Sequence, residues 1–413
     1  VRIVLLNQYY APDEAATAQL LSDLGAALVA RGHEVRAVAS RRAYADSRRR
    51  YPRRSREAGV EVLRVAATAF GRASRLGRVA DYASFLAGAA GALVAMPRPD
   101  VVVSLSTPPL VAGLGMAAAR WRRARTVYWV MDVYPDLAVE LGAIPARSPA
   151  ARLLGRAAGV LLRGSDRVVA LDRAMAERLD AQGARGAAVI ANWADGDAIR
   201  PRPAAGHPRR ERLGWSGRFV VLYSGNMGLA HEFDTLLDAA ALLARDPEVL
   251  FAFVGDGPRR GEIEEGARRR GLANVEFHGY APRDALGESL TAGDLHAVTL
   301  RPGMEGLLVP SKIYGILAAG RPTLYVGPPA GEVHEIVSAG CGRSIRNGDV
   351  RAVAEAIAAY RNEGARREAE GSFARRLFED RYTREKSLDA FVRLVEGLGS
   401  RQAGTQEGTR VVA

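Results

Sequence analysis

Cysteine, lysine and long apolar runs are nearly missing from this chain. Cys341 is the single cysteine in 413 residues. That excludes an internal disulfide framework and any multi-cysteine metal site, and it fits a reducing compartment. No run of about 18 apolar residues occurs, so no membrane-spanning helix is expected. Residues 1–7 are too short for a secretory leader and read as a buried strand, which places the chain in the cytoplasm as an expectation. Of 58 basic residues, only Lys312 and Lys386 are lysine. No Asp-x-Asp pair is followed by a further ligand set, so no bound metal is expected.

Positive charge is abundant. The net charge is +12, and about half of it sits in one segment. Arg41, Arg42, Arg48, Arg49, Arg50, Arg53, Arg54 and Arg56 face only Asp46 and Glu57 there, a net +6. Such a segment suits a solvated loop or an anionic surface. No helix-turn-helix, zinc-finger or RNA-stacking motif accompanies it, so nucleic acid is not the expected partner. Residues 68–96 follow with Arg72, Arg75 and Arg78 beside Phe70, Leu76, Val79, Tyr82, Phe85 and Leu86. Basic and amphipathic, this stretch reads as a membrane-interface element or as a surface helix packed on a sheet.

The length and the 48% apolar content suit two cores of roughly 150–200 residues each. Short apolar runs alternate with helical patterns, the signature of parallel sheets with right-handed crossovers. Strands are expected at residues 2–6, 35–39, 60–65, 101–105, 126–130, 167–170 and 188–190. The pattern restarts after a Pro- and Gly-bearing linker, with strands at 219–223, 250–254, 275–278, 295–298 and 323–326. The expected fold is α/β, with two Rossmann-like doubly wound domains facing a cleft. Residues 1–195 form the first domain, 196–217 the linker and 218–380 the second domain. Residues 381–399 form a helix that returns to the first domain, and 400–413 a disordered tail.

Three loops of the second half follow strands and precede helices. They are Ser224-Gly225-Asn226-Met227-Gly228, Gly255-Asp256-Gly257-Pro258, and Pro310-Ser311-Lys312, which opens a helix expected at 311–319. Glycines let a backbone approach a ligand closely, and a helix N-terminus favours phosphate. Ser311 is placed to cap its helix and Lys312 to add a full charge, so the three loops read as a pyrophosphate seat. None is a Walker loop, and the first loop of the chain lacks glycine, so neither ATP hydrolysis nor dinucleotide chemistry is indicated.

These segments carry a family resemblance. The motifs are Gly255-Asp256-Gly257-Pro258, then Val275-Glu276-Phe277-His278-Gly279-Tyr280, then Val309-Pro310-Ser311-Lys312-Ile313-Tyr314 with Ala318-Ala319-Gly320-Arg321-Pro322. In the first half they are Gln8-Tyr9-Tyr10-Ala11-Pro12, Arg31-Gly32-His33-Glu34-Val35, Met131-Asp132-Val133-Tyr134-Pro135-Asp136 and Ala191-Asn192-Trp193. In order and spacing they resemble bacterial family-4 glycosyltransferases, in particular the cell-envelope and O-antigen subgroup that transfers N-acetylated hexosamine-type sugars. The resemblance implies a GT-B fold and a retaining, metal-independent transfer. The donor is a nucleotide diphosphate sugar, by family habit UDP-linked, and no cofactor is needed. The acceptor is a glycan or polyprenyl-diphosphate-linked sugar at the inner face of the cell membrane. A nucleotide-sugar epimerase on the same fold, or a donor-binding subunit that needs a partner, are the alternative readings.

Residue by residue, the resemblance places Gly225, Asn226, His231, Gly255, Gly257, Pro258, Gly279, Tyr280, Arg301, Gly306, Pro310, Ser311 and Lys312 at the donor. Asp132, Glu305 and Lys312 are the catalytic candidates. Asp132 follows a strand and is placed to orient or deprotonate the acceptor hydroxyl, while Asp136 is read as a helix cap. The chain also departs from the family pattern. Asn226 and His231 stand where an arginine and a lysine are usual, and Gly315 stands where the second of two paired glutamates is usual. Ala15, Ala16 and Thr17 replace the glycines of the first loop, with Thr17 able to cap the next helix. The missing cations shift the expected load onto Lys312.

Overall fold

The computed structural model describes residues 1–44, 46, 48–70 and 75–407. The chain divides into two compact units, one of Val1–Ala191 together with the stretch from Ser387 onward, the other of Asn192–Lys386. Each unit holds one largely parallel sheet.

The first unit contains β1 (Arg2–Leu6), β2 (Glu34–Ser40), β3 (Arg54–Glu57), β4 (Val60–Val65), β5 (Val101–Leu105), β6 (Arg125–Trp129), β7 (Arg167–Ala170) and β8 (Ala188–Val189). Their order across the sheet is β3-β4-β2-β1-β5-β6-β7-β8. β1 and β5 read as mainly apolar runs because they are buried at the centre of the sheet. Phe85, Ala89, Leu93 and Met96 pack with Val4, Leu6, Val38 and Val102 in one of its cores. Residues 68–96 thus contain a helix, Arg75–Ala95, that buries one face on the sheet. Leu76 and Val79, at its start, remain exposed with Phe70. Arg72 lies outside the described residues, so that part of the basic pattern has no structural counterpart here.

The arginine-rich segment is not wholly a loop. Arg54–Glu57 pairs antiparallel with β4, Arg54 opposite Leu63 and Glu57 opposite Val60. The turn between them is Ala58-Gly59, both at positive φ (47° and 85°), the two-residue geometry that matches strand twist. Sequence periodicity misses this strand because Arg-Ser-Arg-Glu has no apolar face. Its partner supplies the structure.

The second unit contains β9 (Phe219–Ser224), β10 (Val249–Val254), β11 (Val275–His278), β12 (Leu295–Thr299), β13 (Thr323–Val326) and β14 (Gly342–Ile345). All are parallel, in the order β11-β10-β9-β12-β13-β14. Side chains alternate between two packed faces. Val221, Tyr223, Phe251 and Phe253 join one core, and Val220, Leu222, Leu250 and Ala252 join the other. The last helix, Arg384–Glu407, continues through residues 400–407, part of the stretch expected as a disordered tail. Residues 408–413 lie outside the described residues. In the first unit this helix sets Phe391 against Trp129, with ring centroids 4.6 Å apart, and pairs Asp389 with Arg31 and Glu396 with His33.

Candidate active site

The donor-site candidates of the second unit gather at the carboxyl edge of its sheet. Gly225 follows β9 and donates its N–H to Val254 O at 2.9 Å, while Gly255 follows β10 and donates to His278 O at 2.9 Å. Met227 N–H reaches Asp256 O at 2.8 Å, so the two loops are stitched together by backbone bonds. The glycines serve that stitching. At Gly255 φ is +141°, and a Cβ would lie 2.1 Å from Gly225 O. The close approach that glycine permits here is loop to loop, where the sequence pattern pointed to loop and ligand.

Lys312 lies beneath these loops. Its Nζ stands 3.6 Å from the centroid of the Tyr223 ring, and its Cε is 3.4 Å from where a Cβ of Gly225 would be. The amine is buried and has no hydrogen-bond partner. An aromatic face offers a desolvated ammonium about 2 kcal/mol. Taking an ammonium out of water costs several times that. Burial therefore wins and holds the amine well below the usual lysine range. The helix that Lys312 opens runs Lys312–Ala318, shorter than expected, and Ser311 makes no side-chain cap bond. Ser311 already has helical backbone angles (φ −59°, ψ −14°), so it is not poised as an N-cap.

His231 takes a different role from the one its position implies. Its Nδ1–H donates to Thr299 O at 2.5 Å, and the ring packs against Tyr223 and Phe233. Burial first, then the neighbouring Lys312, pushes its pKa down to about 3. It is a neutral wedge between the loop and β12. Asn226 is exposed, and its backbone carbonyl accepts from the Tyr223 hydroxyl at 2.8 Å. Arg301 reaches back to Leu229 O at 3.2 Å. Tyr280 is 59% exposed and donates to Asp256 O at 3.2 Å beside Gly279. Glu305, flanked by Gly306, buries Oε2 without a partner and faces the Tyr325 phenol electrostatically, which raises that phenol's pKa beyond what burial does. Pro310 is buried and accepts from Ile313 N–H at 3.1 Å.

In the first unit, Ser106 after β5 and Asp132 after β6 meet. Ser106 Oγ accepts from Met131 N–H at 3.1 Å and Asp132 N–H at 3.2 Å. Burial pushes the Asp132 carboxyl up to about 6. After β1, Asp13 accepts from Ala15 N–H at 3.0 Å and Tyr44 N–H at 2.8 Å. The helix Ala16–Ala30 starts with Ala15 at the N-cap and no side-chain cap. Thr17 lies within its first turn, and its hydroxyl accepts from Asn7 Nδ2 at 3.4 Å, so Thr17 is not the cap. Nor does Asp136 cap. It is the first residue of the helix Asp136–Glu140 and binds Gln182 Nε2 at 2.8 Å and Arg178 Nη1 at 3.2 Å.

A family model described as a glycosyl transferase 4-like domain matches residues 16–193, and one described as glycosyl transferases group 1 matches residues 218–362. The chain is a group 1 glycosyltransferase. A glycosyltransferase of Pseudomonas aeruginosa, WbjE, is 31% identical over 58% of this chain, and that alignment spans 60% of the relative. An Escherichia coli protein named as a colanic acid biosynthesis glycosyl transferase, WcaI, is 28% identical over 78% of this chain and 82% of its own. Among solved structures, Anabaena HepE in complex with UDP and glucose has a TM-score of 0.73 at 19% identity, covering 96% of this chain and 99% of its own. The fold is GT-B.

In this glycosyltransferase Gly315, at the position where the family resemblance led to the expectation of a glutamate, is packed. A Cβ there would meet Leu290 Cδ1 at 3.1 Å, so the position is closed by the helix Leu286–Thr291. Three residues that the sequence reading passed over bear on the same loops. Tyr223 seats Lys312, Arg259 donates to His231 O at 2.6 Å, and Arg260 donates to Gly255 O at 2.9 Å. Both arginines follow Pro258 directly. Two cations at the start of a helix, after a glycine loop, were the available signal.

Proposed function

We propose that this glycosyltransferase moves a sugar, of the N-acetylated hexosamine type, from a UDP-linked donor to a lipid-linked glycan acceptor, with retention of configuration and without a metal. The reading rests on one observation above the rest: a buried, unpartnered lysine amine lies beneath two glycine loops at one sheet edge. A diphosphate placed there would give the amine the charge partner it lacks. The UDP bound to HepE supports the choice of nucleotide. The colanic acid role in the name of WcaI supports cell-envelope polysaccharide as the product class. In this reading the Asp132 carboxylate orients the acceptor hydroxyl and takes its proton.

Saturating UDP at about a hundred times Kd should add roughly 2.7 kcal/mol to the native state. For a unit of this size that raises the melting temperature by roughly 5–10 °C, and UDP should exceed ADP and GDP. A shift with ADP or GDP but none with UDP would remove the uridine assignment. UDP-sugar that is epimerised in the absence of acceptor would overturn the transferase reading in favour of an isomerase.

The acceptor's lipid places the enzyme at the inner membrane face in this proposal. Among the described residues no helix is long and apolar enough to cross a membrane, so attachment would be peripheral. Exposed Phe70, Leu76 and Val79, with exposed Arg48, Arg49, Arg50, Arg53, Arg54 and Arg56, support it. Flotation with phosphatidylglycerol vesicles at low salt should carry the protein up, and zwitterionic vesicles should not. Equal recovery with both would sink the electrostatic part of the idea.

A further inference from the structure

The buried cation candidate at the donor site, Lys312, has no counter-charge among the described residues. Lys312 Nζ meets an aromatic face, a glycine and a histidine, and no acceptor. The groups around it cannot supply a negative charge. Tyr223, from β9, spends its hydroxyl on Asn226 O, and burial keeps the phenol protonated. His231, from the loop after β9, is neutral and bound to Thr299 O. Arg259, from the loop after β10, lies behind His231 and adds positive potential. No carboxylate of these loops bonds Lys312, and the buried Oε2 of Glu305 is likewise without a partner. Glu232 accepts from Thr235 N–H and Asn347 Nδ2, and Asp256 accepts from Gly257 N–H. Among the described residues Lys312 forms no ion pair.

A buried amine in such surroundings prefers to be uncharged. A diphosphate arriving beside it reverses the preference, because two anionic phosphates make the ammonium the favoured form. We propose that Lys312 receives the donor as a neutral amine and becomes an ammonium on binding, so that capture of the nucleoside diphosphate takes up one proton. The proton comes from the buffer acid or from water. It bonds to the Nζ lone pair, and the bond it leaves breaks with its electron pair staying on the buffer base or on hydroxide. The inference deepens the UDP-binding reading above and depends on it. Its consequence is a sign: the bound state holds more protons than the free state, so donor affinity falls as pH rises.

Titration calorimetry of the full chain with UDP, at pH 8 in phosphate and in Tris, reads the linkage directly. The apparent heat should differ between the two buffers by an uptake approaching one proton per UDP. Between pH 7 and 9 the affinity should fall toward tenfold per unit. In the His231→Asn variant the uptake should persist, and in Lys312→Met any remaining binding should be independent of buffer. UDP that binds with the same heat in both buffers, and equally at pH 7 and 9, overturns the proton linkage while leaving the donor site standing. Uptake that vanishes in His231→Asn moves the proton off Lys312 and overturns the assignment. Absence of any UDP binding removes the donor reading and the linkage with it.

Discussion

Replacing Lys312 by methionine should lower kcat/KM for the donor by about 10²–10³-fold without lowering the melting temperature. The activity loss follows from removing the ammonium that forms beside the diphosphate when the donor binds, an interaction worth about that much when one stabilising donor is deleted from a reaction centre. The stability result follows from the burial of Nζ without a partner. An apolar side chain of similar length keeps the packing and removes a polar atom that has nothing to bind. The Asn226→Ala variant should lose less than about tenfold, since Asn226 is exposed. His231→Ala should lose stability before donor affinity, because the ring is buried and fills space between Tyr223 and Phe233. Steady-state kinetics with thermal unfolding of all three variants checks the order. A larger donor defect in Asn226→Ala than in Lys312→Met would place the diphosphate elsewhere.

The second large effect is expected at Asp132. Asp132→Asn should lower kcat by about 10²-fold or more, within the range of a lost general base, with UDP affinity unchanged. Burial lifts the wild-type carboxyl to about 6. The active form is the carboxylate, so kcat at saturating donor should rise with pH through a limb near 6 and level off above it. The asparagine variant should lack that limb. Ser106, which accepts from the backbone at 131 and 132, should show a smaller loss as Ser106→Ala, because it fixes the turn and not the proton. A wild-type limb that persists in Asp132→Asn would assign it to another group.

Much of the fold was legible along the chain. Strands buried on both faces are mainly apolar runs, and β1, β5, β9 and β10 are of that kind. The helix Ala16–Ala30 carries a buried stripe of Ala18, Leu21, Leu24, Gly25 and Leu28, written in the spacing of its apolar residues. Elements stabilised from outside themselves were not legible. β3 has no apolar face and exists because β4 pairs with it. β14, Gly342-Arg343-Ser344-Ile345, is an edge strand that gains its register from β13. Capping was read too freely at Thr17, Asp136 and Ser311. A short polar residue near a helix start is only a candidate until the backbone angles before it are known.

The candidate site divides the same way. Sequence alone determined the family, the two-sheet architecture and the set of loops at each carboxyl edge. Those depend on residue order and local periodicity, which are written in the chain. It also marked Lys312, one of two lysines among 58 basic residues, as unusual. The tertiary structure decided what these residues meet. It turned His231 inward onto Thr299 O, closed Gly315 against Leu290, and spent the glycines on packing one loop against another. It seated the Lys312 amine on Tyr223, from a strand almost ninety residues earlier, with no acceptor nearby. Charge state and side-chain direction are set by neighbours distant in sequence and by exclusion of water, and neither is encoded in any local pattern.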